Sequence, residues 1–142
     1  MSQKKKVLFI CTHNSARSQM AEGILNKFYG DRFKAYSAGT KPLIVNPYAN
    51  KAMRELGIDI SKNTSNSIDD FNDMNFDLVI TVCDSAKETC PHFHDAKKHI
   101  HKSFTDPSIF KGSDKNKTLF FRQVRDEISE WIRKSFAKEN LD

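Results

Sequence analysis

No apolar run among these 142 residues approaches the roughly 20 needed to cross a bilayer, so no membrane-spanning helix is expected. Lys4 to Lys6 are followed by only four apolar residues before Cys11. A secretion signal needs about 7–15, and the expected location is therefore the cytoplasm. Glycine and proline are sparse, at five and four, which excludes collagen-like and low-complexity chains, and no internal repeat is present. Cysteine is scarce too: three residues, an odd number that does not close into a purely structural disulfide framework. The net charge of +5 favours anionic partners modestly. The basic residues do not gather in a stripe interleaved with aromatics, which argues against a nucleic-acid surface.

What is present suits one soluble domain over residues 1–142, long enough to bury a core. Residues 4–10, with the apolar run Val7–Ile10, are expected to be a buried strand. From Arg17 to Tyr29 apolar residues recur at Met20, Ala21, Ile24, Leu25 and Phe28, one face of a helix, with Gly30 as its C-cap. Residues 33–37 suit a short strand. Asn46-Pro47 is an N-cap followed by proline at the first helical position, opening a helix that stops at Gly57. Residues 58–75 are polar and broken, a loop with one short helix. Residues 77–82 form a second buried strand, and a weaker one is expected near residues 99–104. Residues 111–118 are expected to be a mobile surface loop. The last helix carries Phe121, Val124, Ile128, Trp131, Ile132 and Phe136 on one face, with Arg122, Arg125 and Arg133 on the solvated side. Alternating strands and helices imply a parallel sheet with helices on both faces.

Ligands of such sheets bind beyond the carboxyl ends of the strands. That edge receives the loop after residue 10, the residues after Val82 and the loop after Phe104, and hence Cys11, Cys83 and Asp106. The stretch Cys11-Thr-His-Asn-Ser-Ala-Arg17, with Ser18 after it, lies between a strand and a helix. Its residues Thr12, His13, Asn14, Ser15 and Ala16 can wrap a tetrahedral oxyanion with inward-pointing N–H groups, aided by the helix N-terminus. Arg17 supplies a two-pronged grip on anion oxygens, and the same field stabilises Cys11 as a thiolate nucleophile. Asn14 and Ser18 can hydrogen-bond within the loop or to that thiolate. His13 is either an added positive group in the cradle or a rim residue, and Glu22 is expected simply to favour the helix dipole. Asp106, held extended by Pro107, is either the acid that protonates a leaving oxygen or a turn-former.

Cys83 and Cys90 frame a six-residue segment. If that segment is helical, its ends lie ~10 Å apart, too far for a disulfide unless it unwinds. The thiols can act as a relay in which Cys83 attacks Cys11 and Cys90 resolves the product. They can equally be buried small hydrophobes. A zinc site from Cys90, His92, His94, His99 and His101 lacks the spacing of structural zinc motifs, and solvated histidines are the expectation; no metal and no cofactor are assigned.

The run from Cys11 to Gly23 resembles the signature of thioredoxin-coupled arsenate reductases, which share the low-molecular-weight protein tyrosine phosphatase fold. The similarity continues through Tyr36-Ser-Ala-Gly39, Asn46-Pro47, residues 57–61, Thr64-Ser65, the segment from Thr81 through Cys83 to Cys90-Pro91, Asp106-Pro107 and residues 121–128. It implies a four-stranded parallel sheet flanked by helices. It also implies that Cys11 attacks arsenate held by the loop and Arg17 while Asp106 protonates the leaving oxygen. Cys11–Cys83 and then Cys83–Cys90 disulfides follow, the latter re-reduced by thioredoxin; glutaredoxin- and mycothiol-linked relatives also exist. A monomer is expected. Two positions depart from the pattern. His13 stands where glycine is common. Some members bind potassium through positions matching Asn14, Glu22, Ser37 and Thr64, but a further acidic ligand is matched here by Asn66. The alternatives are a low-molecular-weight tyrosine phosphatase, which usually has tyrosine where Ser108 stands, and a non-enzymatic oxyanion or redox sensor. In the reductase, weak phosphatase activity is expected as a by-product of the shared cradle.

Overall fold

A computed structural model describes residues 4–83 and 96–137. In chain order these are β1 (Lys5–Cys11), α1 (Arg17–Tyr29), β2 (Phe33–Gly39), α2 (Pro47–Arg54), a 3-10 helix (Ile68–Phe71), β3 (Leu78–Thr81), β4 (His99–His101), a second 3-10 helix (Pro107–Ile109) and α3 (Asp114–Phe136). All strand pairs are parallel, in the order β2-β1-β3-β4. Among the described residues no helix is long and apolar enough to cross a membrane.

Val7 to Ile10 of β1 are wholly buried, because a central strand of a parallel sheet is covered on both faces. Side-chain alternation divides them. Val7 and Phe9 join the main core with residues of α1, α2 and α3, whereas Leu8 and Ile10 join a second cluster with Phe71, Phe76 and Val79. The first 3-10 helix thus supplies the helical cover on that second face.

The order β2-β1-β3-β4 also creates a switch point. The chain leaves β1 for β2 on one side and returns past it to β3 on the other, which opens a crevice at the carboxyl ends of β1 and β3. Cys11 is level with Gly39 of β2, and Ile10 is level with Thr81 of β3. The Val82 N–H donates to Ile10 O at 2.9 Å, so the pairing runs one residue past β3. The expected convergence on one sheet edge is realised at the backbone.

Two expectations are corrected. Residues 114–118, expected in a mobile loop, are the first turns of α3. Ser113 caps them by accepting from Asn116 N, Asp114 favours the helix dipole, and Thr118 is buried. The Tyr48 hydroxyl donates to Asp114, which anchors this end to α2. Polar composition suggested a loop, but caps and first turns are polar for the same reason.

Nor does Arg125 lie on the solvated face. It is buried, donating to Ala52 O at 2.8 Å and to Glu55 Oε1 at 2.6 Å. Arg122 grips both oxygens of the same carboxylate. The Arg122 hydrogen bonds, assisted by Arg125 and partly opposed by desolvation, hold the Glu55 carboxyl down at about 2. Arg133 does remain exposed, paired with Glu130 on its own helix. Arg125→Met is therefore expected to lower stability by about 2 kcal/mol, since it leaves the Ala52 carbonyl and Glu55 without their buried donor. Arg133→Ala should change it by less than about 0.5 kcal/mol; thermal melts of the two variants check the contrast.

Candidate active site

The cradle begins where β1 ends. Asn14 turns the chain with φ +50°, a left-handed conformation that asparagine tolerates better than most residues. It is wholly buried and held from several sides. Its Oδ1 accepts from Asn66 N at 2.7 Å and Gln19 Nε2 at 3.0 Å, and its backbone carbonyl accepts from Ser65 Oγ at 2.9 Å. Its Nδ2 donates to Ser18 Oγ at 2.8 Å. With that amide on the Ser18 oxygen, the Ser18 hydroxyl hydrogen is left to point at Cys11 Sγ, 2.8 Å away. Cys11 is buried and a free thiol.

Helix α1 starts at Arg17 with Ala16 in the cap position. No side chain caps it, and no acidic residue occupies its first turn. Its N-terminal partial positive charge is thus not masked by a cap or a carboxylate of its own and lies at the loop. Arg17 is buried and donates to Phe104 O at 3.3 Å. Its other terminal nitrogen is 3.6 Å from Asp106 Oδ2. Asp106 forms the turn considered for it: Oδ1 caps the second 3-10 helix, accepting from Ser108 N at 2.9 Å and Ser108 Oγ at 2.7 Å, while Oδ2 faces the arginine. Cys11, His13, Ser15, Ala16, Arg17, Asp106 and Ser108 together line one small pocket. A larger groove of about 760 Å³ between α3 and residues 102–104 contains none of these side chains; chemistry rather than size marks the site.

Thr12 and His13 are half-buried and tied to the segment that follows β2. Lys41 N donates to Thr12 O at 2.8 Å, Leu43 N to His13 O at 2.9 Å and Asn46 N to Ser15 O at 2.9 Å. Cys83 is buried and disulfide-bonded, and since Cys11 is free the bond does not join these two. Cys90 lies outside the described residues, as do His92 and His94. Of the other histidines weighed for zinc, His99 and His101 are exposed on β4, and His101 Nδ1 is 2.8 Å from Thr81 Oγ1. No metal-holding group of three occurs among the described residues.

Sequence reasoning missed how much of the site rests on buried polar support. Gln19 is buried and donates to Asn14 and to Thr64 O. Gly39 is the other omission, because its neighbours are backbone atoms of the cradle. Neither had a local signal: a glutamine on a helix looks solvent-facing until its partner arrives from 45 residues away.

Glu22 is corrected outright. It does not serve the helix dipole but is half-buried, accepting from Ser37 Oγ at 3.1 Å and Asn63 Nδ2 at 3.2 Å. Burial raises its carboxyl to about 7, against the lowering effect of the Ser37 hydrogen bonds. At the positions matched to potassium, the oxygens are hydrogen-bonded within the protein. Asn14 Oδ1, Ser37 O and Glu22 Oε2 already accept from N–H groups of Gln19, Asn66 and Asn63, and Asn66 brings an amide rather than a charge.

The raised carboxyl has a signed consequence. The folded chain keeps the Glu22 proton to about pH 7 and the unfolded chain loses it near 4.5. The native state therefore binds more protons across that window, and stability falls as pH rises through it, by on the order of 3 kcal/mol. Glu22→Gln is expected to flatten this component, so that urea unfolding at pH 5 and pH 8 in potassium-free buffer differs less than for the parent.

A family model for low molecular weight phosphotyrosine protein phosphatase matches residues 6–142. An arsenate reductase of Halalkalibacterium halodurans is 48% identical over 135 residues, which cover 95% of this chain and 96% of that protein. A solved arsenate reductase in the phosphate binding state superposes with a TM-score of 0.79 at 34% identity, covering 94% of this chain and 98% of its own. A thioredoxin-dependent arsenate reductase of Corynebacterium glutamicum gives 0.70 at 29% identity over 99% of this chain and 64% of the other. Matched by that model and by arsenate reductase relatives over nearly its whole length, the chain belongs to the low molecular weight phosphotyrosine protein phosphatase family, among its arsenate reductase members.

Proposed function

We propose that this chain reduces arsenate to arsenite through a three-cysteine relay re-reduced by thioredoxin. The observation that carries the reading is the composition of the pocket. Its walls are Cys11, Arg17 and Asp106 with the short or polar side chains of His13, Ser15, Ala16 and Ser108. Among the described residues, none that lines it is a tyrosine, tryptophan or phenylalanine that would grip an aryl phosphate, and such a wall suits an inorganic oxyanion.

The steps balance in atoms and electrons. Cys11 thiolate attacks arsenic(V) held by Arg17 and the loop N–H groups, and Asp106 delivers the proton with which an oxygen leaves as water. Cys83 then attacks the Cys11 sulfur, and the electron pair of the sulfur–arsenic bond stays on arsenic, which departs as arsenite. Cys90 attacks Cys83, freeing Cys11 and leaving a Cys83–Cys90 disulfide for the external dithiol.

Thioredoxin as reductant is supported by the Corynebacterium relative's description. The reading is tested by arsenate-dependent NADPH oxidation in the presence of thioredoxin and thioredoxin reductase. Steady turnover is expected; phosphate-ester cleavage with no arsenate turnover under any dithiol would favour the phosphatase.

A further inference from the structure

The cradle is built almost wholly from donors. Loop N–H groups, the α1 N-terminus and the Arg17 guanidinium all offer hydrogens, and none accepts one. Arsenate and phosphate differ from sulfate in a respect such a cradle cannot sense: near neutral pH they carry a hydroxyl, and sulfate has only bare oxygens. Discrimination requires an acceptor in the pocket. Cys11 is the nucleophile. Asp106 has Oδ1 occupied by Ser108 and Oδ2 turned to Arg17.

Ser15 and Ser108 also line the pocket, but a hydroxyl can turn to donate as well as accept and so does not discriminate. Asp106 serves the leaving oxygen. His13 is the side chain whose geometry limits it to one role. Its Nδ1 lies 3.0 Å from Lys41 O. A carbonyl oxygen only accepts, so Nδ1 carries the hydrogen of that bond and, in the neutral ring, Nε2 is a bare lone pair. His13 lines the pocket with Cys11, Arg17 and Asp106, and Leu43 N holds its own carbonyl at 2.9 Å. The segment following β2 thus holds the residue at two points, fixing both its tautomer and its place.

We infer that His13 is a specificity-determining residue whose Nε2 accepts the hydroxyl hydrogen of a protonated oxyanion, so that the pocket prefers arsenate and phosphate to sulfate. This rests on the reading of the cradle as an oxyanion site. A bare lone pair facing sulfate meets only another lone pair; facing a hydroxyl it completes a hydrogen bond. The contact applies in the ground state as well as during reaction, so its loss raises KM more than it lowers kcat.

The test is the inhibition of p-nitrophenyl phosphate cleavage by inorganic phosphate and by sulfate at about pH 8, above the usual imidazole range. The parent, His13→Phe and His13→Gln are compared, with the KM for arsenate measured beside them. Phosphate inhibition is expected to weaken about tenfold in His13→Phe while sulfate inhibition stays the same or strengthens. His13→Gln, whose amide oxygen can accept, should recover part of the difference. Equal weakening of both anions would mean that the ring only braces the loop and would overturn the inference, as would no change in either. If the parent fails to bind phosphate at all, it is the cradle assignment that falls.

Discussion

Cys11→Ser is expected to remove arsenate reduction and phosphate-ester cleavage together, each by ~10⁴-fold or more, because one sulfur is the nucleophile of both. The Ser18 hydroxyl at 2.8 Å and the uncapped α1 N-terminus do not make an alkoxide accessible from serine, whose oxygen holds its proton far more tightly than a cysteine sulfur. Cys90→Ser should behave differently. It leaves the cradle intact and removes only the thiol that resolves the first disulfide, so thioredoxin-coupled turnover stops while slow p-nitrophenyl phosphate cleavage persists near the parent rate. One equivalent of arsenite per chain should still form in a single turnover. Equal loss of both activities in Cys90→Ser would assign that thiol to structure instead.

Gly39→Ala is expected to be nearly as damaging, although the residue touches no substrate. A Cβ there would stand 2.6 Å from Thr12 O, 2.8 Å from Asn14 N and 3.0 Å from Cys11 O. All three are backbone atoms, and they belong to the loop whose N–H groups must converge on the anion. No rotamer change relieves such contacts. The loop must move away from β2, breaking the pairing of Cys11 with Gly39 and straining the bond from Lys41 N to Thr12 O. The expected cost is about 2–4 kcal/mol in urea unfolding, with phosphate affinity falling by about a hundredfold. Gly57→Ala is the matched control. Its φ of +76° is strained for alanine but nothing lies near the added methyl, so it should cost about 1 kcal/mol and leave phosphate binding unchanged.

The two glycines show what can be read from a chain and what cannot. Gly57 announces itself locally, as a helix stop after an apolar face, and its positive φ fulfils that role. Gly39 looks like an ordinary strand end, because the atoms that forbid a side chain come from residues 11–14, brought alongside by the β1–β2 register. The same division runs through the site. Cys11, Arg17 and the strand–loop–helix turn were legible from spacing, and the strand alternation placed Asp106 and Cys83 on the same edge. The supports were not legible. Asn66, Gln19 and Asn63 reach Asn14 and Glu22 across the fold, and a polar side chain gives no sign in sequence of whether water or a distant amide will meet it. Arg125 misled for the same reason, since a charged residue on a helix is usually solvated and its carbonyl partner on α2 carries no sequence signature.

Peptide mapping of the fully reduced protein, exposed to one equivalent of arsenate without an external reductant, tests the account most directly. A single equivalent of arsenite should appear, with the peptides containing Cys83 and Cys90 joined and Cys11 recovered as an alkylatable thiol. Arsenite with all three thiols still reduced, or no arsenite from a protein that binds phosphate and cleaves phosphate esters, would contradict the relay.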